Sequence, residues 1–462
     1  MQPTKLLLLP ALLLASCNFA PRFNKPSPPM PADYASKTGA PKTGGADATW
    51  WRRLNDSTLN SLILQGYERN RDLAAARSRL LEARALWRES QFDLAPTITT
   101  SGTYDNTTNS RTSPGGTFGG RHIELYRAGF DVDYELDFFG RVRNSVKAAR
   151  RTADASDENL RDFLITLYAE IAVNYLELRG AQGQLAVARE NVGNQADALR
   201  IAEASLKGGR GTQFDVARVN ALLQTTRAQI PTYEENVARA IHRIAVLVGR
   251  NPSELRGQLG VHKRQPAVPA SLKIVRPADL LRQRPDIRAA ENVLAAETAR
   301  IGIAVADLFP RVTFTGRVGL EGATFSNMAQ AGNGGALFGP RISWAFLNLG
   351  RVRQQIKAAG HRADAALASY EQTVLLALEE TENAITAYDR ERARLRHLEA
   401  AAASAREAST LARQRFQDGV SEFLTVIDAE RVAIAAQNDV VLSRTRAASA
   451  WVRIGKAMGG GI

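Results

Sequence analysis

The stretch Ala128-Gly129-Phe130-Asp131-Val132-Asp133-Tyr134-Glu135-Leu136-Asp137-Phe138 decides how this chain is read. Every even-numbered residue in it is apolar, and every odd one is glycine or a carboxylate. Side chains alternate across a strand, so the stretch predicts a strand with one dry face and one wet, acidic face. Directly behind it, Phe139-Gly140-Arg141-Val142-Arg143 opens a segment with almost no helix breaker until Gly208-Gly209. A strand of this kind feeding a helix that long fits few enzymes.

The same passage is written twice. Gly140-Arg141-Val142-Arg143 returns 210 residues later as Gly350-Arg351-Val352-Arg353. Lys147-Ala148-Ala149 returns as Lys357-Ala358-Ala359, Ala153-Asp154-Ala155 as Ala363-Asp364-Ala365, and Gly209 and Val216 as Gly419 and Val426. Upstream, Asp93-Leu94-Ala95-Pro96 matches Asp307-Leu308-Phe309-Pro310. A period this long marks a duplicated structural half rather than a solenoid unit. The halves fall at residues 50–255 and 277–457, with a linker at 256–276 and a short tail at 458–462.

Each half offers two strands, at about 94–108 and 121–138, then at about 308–322 and 338–348. The third is a weaker copy, with Val312, Phe314, Val318 and Leu320 set against Arg311, Thr313, Arg317 and Glu321. Loops rich in Gly, Ser, Thr and Asn separate the members of each pair. These strands reach the roughly 9–11 residues that cross a bilayer. One polar and one apolar face suit a wall between water and lipid. A soluble antiparallel sheet packed on a core is the alternative. Four strands cannot close a membrane barrel, and an open edge in lipid costs several kcal/mol per unpaired backbone group. A membrane reading therefore demands an oligomer. Two copies would supply about eight strands and three about twelve, and the pattern does not choose.

The helical segments predict two long hairpins, at 140–248 and 351–457. At 1.5 Å per residue the first arm alone is about 100 Å long. Leu164, Ile171, Leu178, Leu185, Val192, Leu199 and Leu206 recur every seventh residue, the period of left-handed coiled packing. Leu167, Asn174, Ala181, Ala188, Gln195 and Ala202 form a second, mostly small row. The turns are Gly208-Gly209-Arg210-Gly211 and Asp418-Gly419-Val420-Ser421, and Pro231 should kink the first return helix. Heptads of this kind also suit a soluble scaffold.

Residues 1–17 begin with Lys5 and an apolar run too short to span a bilayer, and so read as a signal peptide. The run ends in Leu14-Ala15-Ser16-Cys17, which resembles a bacterial lipobox, whose cysteine is acylated and becomes the new N-terminus. Cys17 is the sole cysteine, so no internal disulfide or multi-cysteine metal site is possible. The alternative is an ordinary signal with an incidental cysteine. Several acyl chains on one residue make a stable anchor. Residues 18–49 hold six prolines and read as an extended tether.

The net charge of +13 raises nucleic acid as a partner, but the arginines are spread along helices among Glu and Asp, and nothing else points to nucleic-acid binding. The five histidines show no metal spacing, no glycine-rich phosphate loop follows a strand, and no cofactor is expected. Glu379, Glu380 and Glu382 read as solvated charge on an arginine-rich helix rather than as an acid–base pair.

Longer strings carry a family resemblance. Phe138-Phe139-Gly140-Arg141-Val142-Arg143, Ile230-Pro231-Thr232-Tyr233-Glu234 and Leu280-Leu281-x-x-Arg284-Pro285-Asp286-Ile287-Arg288-Ala289-Ala290-Glu291 resemble the TolC-like outer membrane efflux proteins. So do Ile301-Gly302-Ile303-Ala304, Trp50-Trp51 and Leu424-Thr425-x-Ile427-Asp428-Ala429-x-Arg431. The likeness is strongest to their lipoprotein branch, often called NodT-like or OprM-like. It implies an α+β membrane protein: a homotrimer with four strands per chain in one outer-membrane β-barrel, continued by a helical periplasmic barrel. It also implies lipid on Cys17, typically palmitate. Partners would be a periplasmic adaptor (membrane fusion protein) and an inner-membrane pump of RND, MFS or ABC type, and the role that of a passive exit duct for drugs or other small toxic molecules. A duct for type I protein secretion shares the fold, and a lipid-anchored scaffold without a pore is the rival of another class.

By motif, Phe416, Asp428 and Arg431 correspond to the family's periplasmic gate, and Asp215 lies on the matching helix of the first half. Asp428 and Arg431 are three apart and share a helix face. A solvated surface pair worth about 0.2–1 kcal/mol is the plainer reading of those two residues. Asp131, Asp133 and Glu135 would line the barrel and favour cations; ordinary solvated polar strand residues are the alternative reading.

Overall fold

The structure is a computed structural model of the full chain; it describes residues 19–35, 49–109, 122–269 and 274–460. Cys17 and the signal peptide lie outside these residues. The elements run α1 (Ser57–Arg69), α2 (Arg71–Phe92), β1 (Thr97–Thr108), β2 (His122–Leu136), α3 (Arg141–Lys207), α4 (Gln213–Leu247) and α5 (Arg256–Leu259). They continue through α6 (Pro277–Gln283), α7 (Pro285–Ala306), β3 (Arg311–Gly322), β4 (Gly334–Ser343), α8 (Leu349–Gln417) and α9 (Phe423–Ala457).

The chain forms two compact units, and each draws on both sequence halves. One contains Arg79–Asp157, Ala289–Glu371 and the N-terminal segment as far as Ser27; the other contains Pro28–Ser78, Glu158–Arg288 and the chain from Gln372 onward. The repeated halves are therefore not the compact units.

The first unit holds a four-stranded antiparallel sheet in the order β1-β2-β3-β4. The β2–β3 pairing, with Asp131 opposite Arg317 and Gly129 opposite Gly319, joins the two halves. The register places Ile98, Tyr104, Phe130, Phe314, Val318, Phe338 and Ile342 on one face, all exposed in the single chain. Asp131, Asp133 and Glu135 lie on the other face. β1 and β4 have no strand partner on their outer sides among the described residues. Among the same residues no helix is long and apolar enough to cross a membrane.

The repeated Asp-Leu-x-Pro strings mark helix-to-strand turns. Leu94 and Ala95 donate back to Gln91 and Phe92, and Leu308 and Phe309 to Val305 and Ala306. The strands begin just past the prolines, so they start at 97 and 311 rather than at about 94 and 308. β4 spans 334–343, not 338–348. Its ladder stops where Ser343 pairs with Arg311, because Pro310 has no N–H to continue it. Phe346–Asn348 instead form a short 3₁₀ turn. Gly140 has φ 82°, the left-handed region where glycine costs least, and turns β2 into α3. Two of the described N-terminal residues, Phe19 and Lys25, pack against the rest of the first unit. Phe19 stacks on Phe309 at 4.7 Å, Phe309 on Phe139 at 4.6 Å, and Lys25 pairs with Glu291 at 2.6 Å.

The second unit has the main core. Asp56 caps α1 by accepting from the Leu59 amide at 2.9 Å, which sets Leu59, Leu62 and Ile63 inward. Trp50, Trp51, Trp451 and Tyr168 make a chain of edge-on rings with centroids 4.8–5.9 Å apart. Gly455 is small because a Cβ there would come within 2.7 Å of the Trp50 ring. The expected stripe is realised at Ile171 and Leu178, both fully buried. Gly183 lets α3 approach Val441 of α9. Pro231 lies inside α4, which runs unbroken from Gln213 to Leu247.

Candidate gate and wet-face residues

Both hairpin turns are built alike. Gly209 and Gly419 have φ 70° and 71°, as the αL cap of a helix requires. The Gly209 amide donates to Leu206 O and the Arg210 amide to Ser205 O; Gly419 and Val420 repeat this to Phe416 O and Arg415 O. Backbone carbonyls that the helix ends would leave open are thereby satisfied.

Beyond the turns the halves differ. Thr212 and Asp215 form a capping box on α4: the Thr212 hydroxyl accepts from the Asp215 amide, and the Asp215 carboxylate accepts from the Thr212 amide at 2.9 Å. Asp215 is thus occupied in holding its own helix end. Glu422, at the matching place before α9, makes no side-chain cap.

Asp428 accepts from Arg218 at 3.3 Å, and Arg431 stands 3.9 Å from the same carboxylate oxygen. Arg218 is the residue that the 210-residue offset maps onto Asp428. The two return helices therefore carry opposite charges at equivalent positions. Phe416 packs on Phe423 at 4.8 Å, against a small cluster of Ala202, Val219, Ala412, Val426 and Ile427. Close by on α9, Glu430 is 5% exposed and bound by Arg413 at 2.6 Å. Burial pushes the Glu430 carboxyl above its usual range, and Arg413 offsets part of that. Motif reading singled out Phe416, Asp428 and Arg431 as candidates, and did not single out Arg218, Arg413 and Glu430, which lie beside them. The repeat offset was a signal for Arg218; nothing in the sequence paired Arg413 with Glu430.

On the wet face of the sheet the three acidic positions are unlike one another. Asp131 accepts from Ser101 and from Arg317, both at 2.6 Å. Glu135 is held by the guanidinium of Arg141, which spans both its oxygens. Asp133 is exposed and has no hydrogen-bond or ion-pair partner among the described residues.

The Arg-Pro-Asp-Ile-Arg string serves the fold of the second unit. Arg284 donates to Asp286 at 2.7 Å, to Glu380 at 2.8 Å and to the Ala457 carbonyl at 2.9 Å, which caps α9. Lys456 reaches the other Glu380 oxygen at 2.7 Å. Burial would lower the Arg284 guanidinium, but Asp286 and Glu380 outweigh it and the net shift is upward. Glu380 meets the same contest in reverse: burial raises it, Lys456 and Arg284 prevail, and it is held below the usual range. Asp162 beside them is raised, by burial and then by Asp286.

A family model described as outer membrane efflux protein matches residues 62–250 and 277–460. A toluene efflux pump outer membrane protein of Pseudomonas putida, TtgF, is 30% identical, over 98% of this chain and 95% of its own length. Nodulation protein T of Rhizobium leguminosarum bv. trifolii is 29% identical, over 96% and 93%. The solved outer-membrane channel OprN aligns with TM-score 0.90 and 37% identity, over 96% of this chain and 99% of its own. With a two-faced sheet and two helical hairpins along nearly its whole length, this chain belongs to the outer membrane efflux protein family.

Proposed function

We propose that three copies of this chain close roughly twelve strands into one outer-membrane barrel, and that the assembly is the passive exit duct of a tripartite pump for drugs or other small toxic molecules. The observation that carries this is the sheet itself. It has an exposed apolar face, a charged face and two edges without partners among the described residues, so a single copy cannot satisfy its backbone in lipid. The transport energy comes from an inner-membrane pump reached through a periplasmic adaptor. Acyl chains on Cys17 tether each copy to the outer membrane.

At the hairpin turns, Asp428 with Arg218 and Arg431, and the Phe416–Phe423 packing, hold the periplasmic end narrow. Asp215 contributes by fixing the end of α4. Threefold symmetry would repeat each group as a ring around the axis. The test is the mass of the lipid-modified protein in detergent together with its conductance in planar bilayers. A trimer that conducts supports the reading. A conducting trimer that exports a polypeptide instead of small molecules would mark a protein-secretion duct. A monomer that passes no current would leave a lipid-anchored scaffold.

A further inference from the structure

The charges of the wet face are largely spent on one another within the chain. Asp131 is tied to Arg317 on the neighbouring strand at 2.6 Å. Arg127 donates to Asp105 at 2.8 Å and to Glu321 at 3.2 Å. Arg311 holds Asp307 at 2.5 Å, and Arg141 holds Glu135. The first two sets are kept apart by an uncharged row, Ser101-Gly129-Gly319-Gly335, that crosses all four strands. Two wet-face charges stand outside these sets: Asp133 on β2 and Arg341 on β4, both exposed and both without an ion-pair partner among the described residues.

A close ion pair acts on a passing ion as a dipole, and its field decays within a distance comparable to the Debye length of about 8–10 Å. A lone charge acts as a monopole and governs the local concentration of counter-ions. We propose that Asp133 and Arg341, the wet-face charges left unpaired within each chain, are opposed determinants of the duct's ion preference, beside the one net negative charge that the Asp105–Arg127–Glu321 set retains. Asp133 draws cations and Arg341 draws anions. Asp131 and Glu135 do not act with Asp133 as a single acidic belt. This assignment rests on the exit-duct reading, in which the wet face lines the lumen.

The experiment measures the zero-current potential of the full lipid-modified protein in planar bilayers under a potassium chloride gradient. Asp133→Asn shifts the potential toward the anion side, and Arg341→Gln shifts it toward the cation side. The paired variant Asp131→Asn with Arg317→Gln removes two charges yet leaves the potential unmoved. A paired variant that moves it as far as Asp133→Asn overturns the assignment, as does conductance with the potential unmoved in both single variants. A wild-type protein that passes no current overturns the exit-duct reading and the assignment with it.

Discussion

Replacing Arg284 with methionine removes the cation that joins α7, α8 and the end of α9 in the second unit. Its side chain is 9% exposed, and its loss strips Asp286 of both its guanidinium bonds and the Ala457 carbonyl of its donor. Removing one partner of a buried pair costs about 3–5 kcal/mol when the charge left behind is buried, and here Asp286 and Glu380 keep 27% and 34% of their side chains exposed. Glu380 keeps Lys456, so the cost should fall at the low end, about 3 kcal/mol. The assay is denaturant unfolding followed by the helical circular dichroism signal, at neutral pH and at about pH 3, below the ordinary carboxylate range. The sign follows from Glu380. Its folded-state value is depressed, so its contribution is present above the ordinary carboxylate range and fades as pH falls through the depressed value. In the variant, Glu380 lacks the guanidinium, so less of its stabilising contribution remains to be lost on acidification. The gap between wild type and variant therefore narrows on acidification. A gap below about 1 kcal/mol at neutral pH, the worth of a surface pair, would refute the reasoning, as would a gap that does not change with pH.

Asp162→Asn should stabilise the protein at neutral pH. A carboxyl with a raised folded-state value stabilises only while protonated, so the gain should vanish by about pH 4; a loss of stability at neutral pH would count against this. Gly129→Val should abolish heat-modifiable oligomer on a gel. A Cβ there meets the Val318 carbonyl at 2.6 Å and Gly319 Cα at 2.8 Å, whereas at Gly102 it meets nothing, so Gly102→Val should be tolerated. Asp428→Ala with Arg431→Ala should raise single-channel conductance, because Arg218 loses its anchor on the facing helix; unchanged conductance and gating would argue against a latch.

The sequence was legible where a residue's job is local. Alternation from Ala128 to Phe138 placed β2 to within a few residues, and the turn glycines placed both hairpin ends. β4 was displaced because its first residues, Gly334-Gly335-Ala336, carry no alternation, while Trp344, Phe346 and Leu347 beyond its end look like strand. Pairing to β3 defines that strand, and pairing is not a local property. The same limit governs the sites. Asp428 and Arg431 could be grouped by helical spacing, but Arg284 meets Glu380 and Ala457 at separations of 96 and 173 residues. The Arg-Pro-Asp string could thus be seen without its work being known.

The duplicated halves separate what the backbone demands from what the site demands. At Gly209 and Gly419 the two copies keep the same residue, nearly the same φ and the same carbonyl bonds, because each outgoing helix ends in a left-handed glycine cap. Further along the return helices they diverge, and the divergence is complementary: Arg218 in the first copy, Asp428 in the second, joined at 3.3 Å. Two identical carboxylates or two identical guanidiniums at that place would repel. The capping box is likewise kept in the first copy and absent from the second. An N-cap bond is worth about 1 kcal/mol, so the start of α9 is held less firmly than that of α4. The second hairpin's turn should then yield first, with the Arg218–Asp428 contact and the cluster of Ala202, Val219, Val426 and Ile427 joining it to the first hairpin.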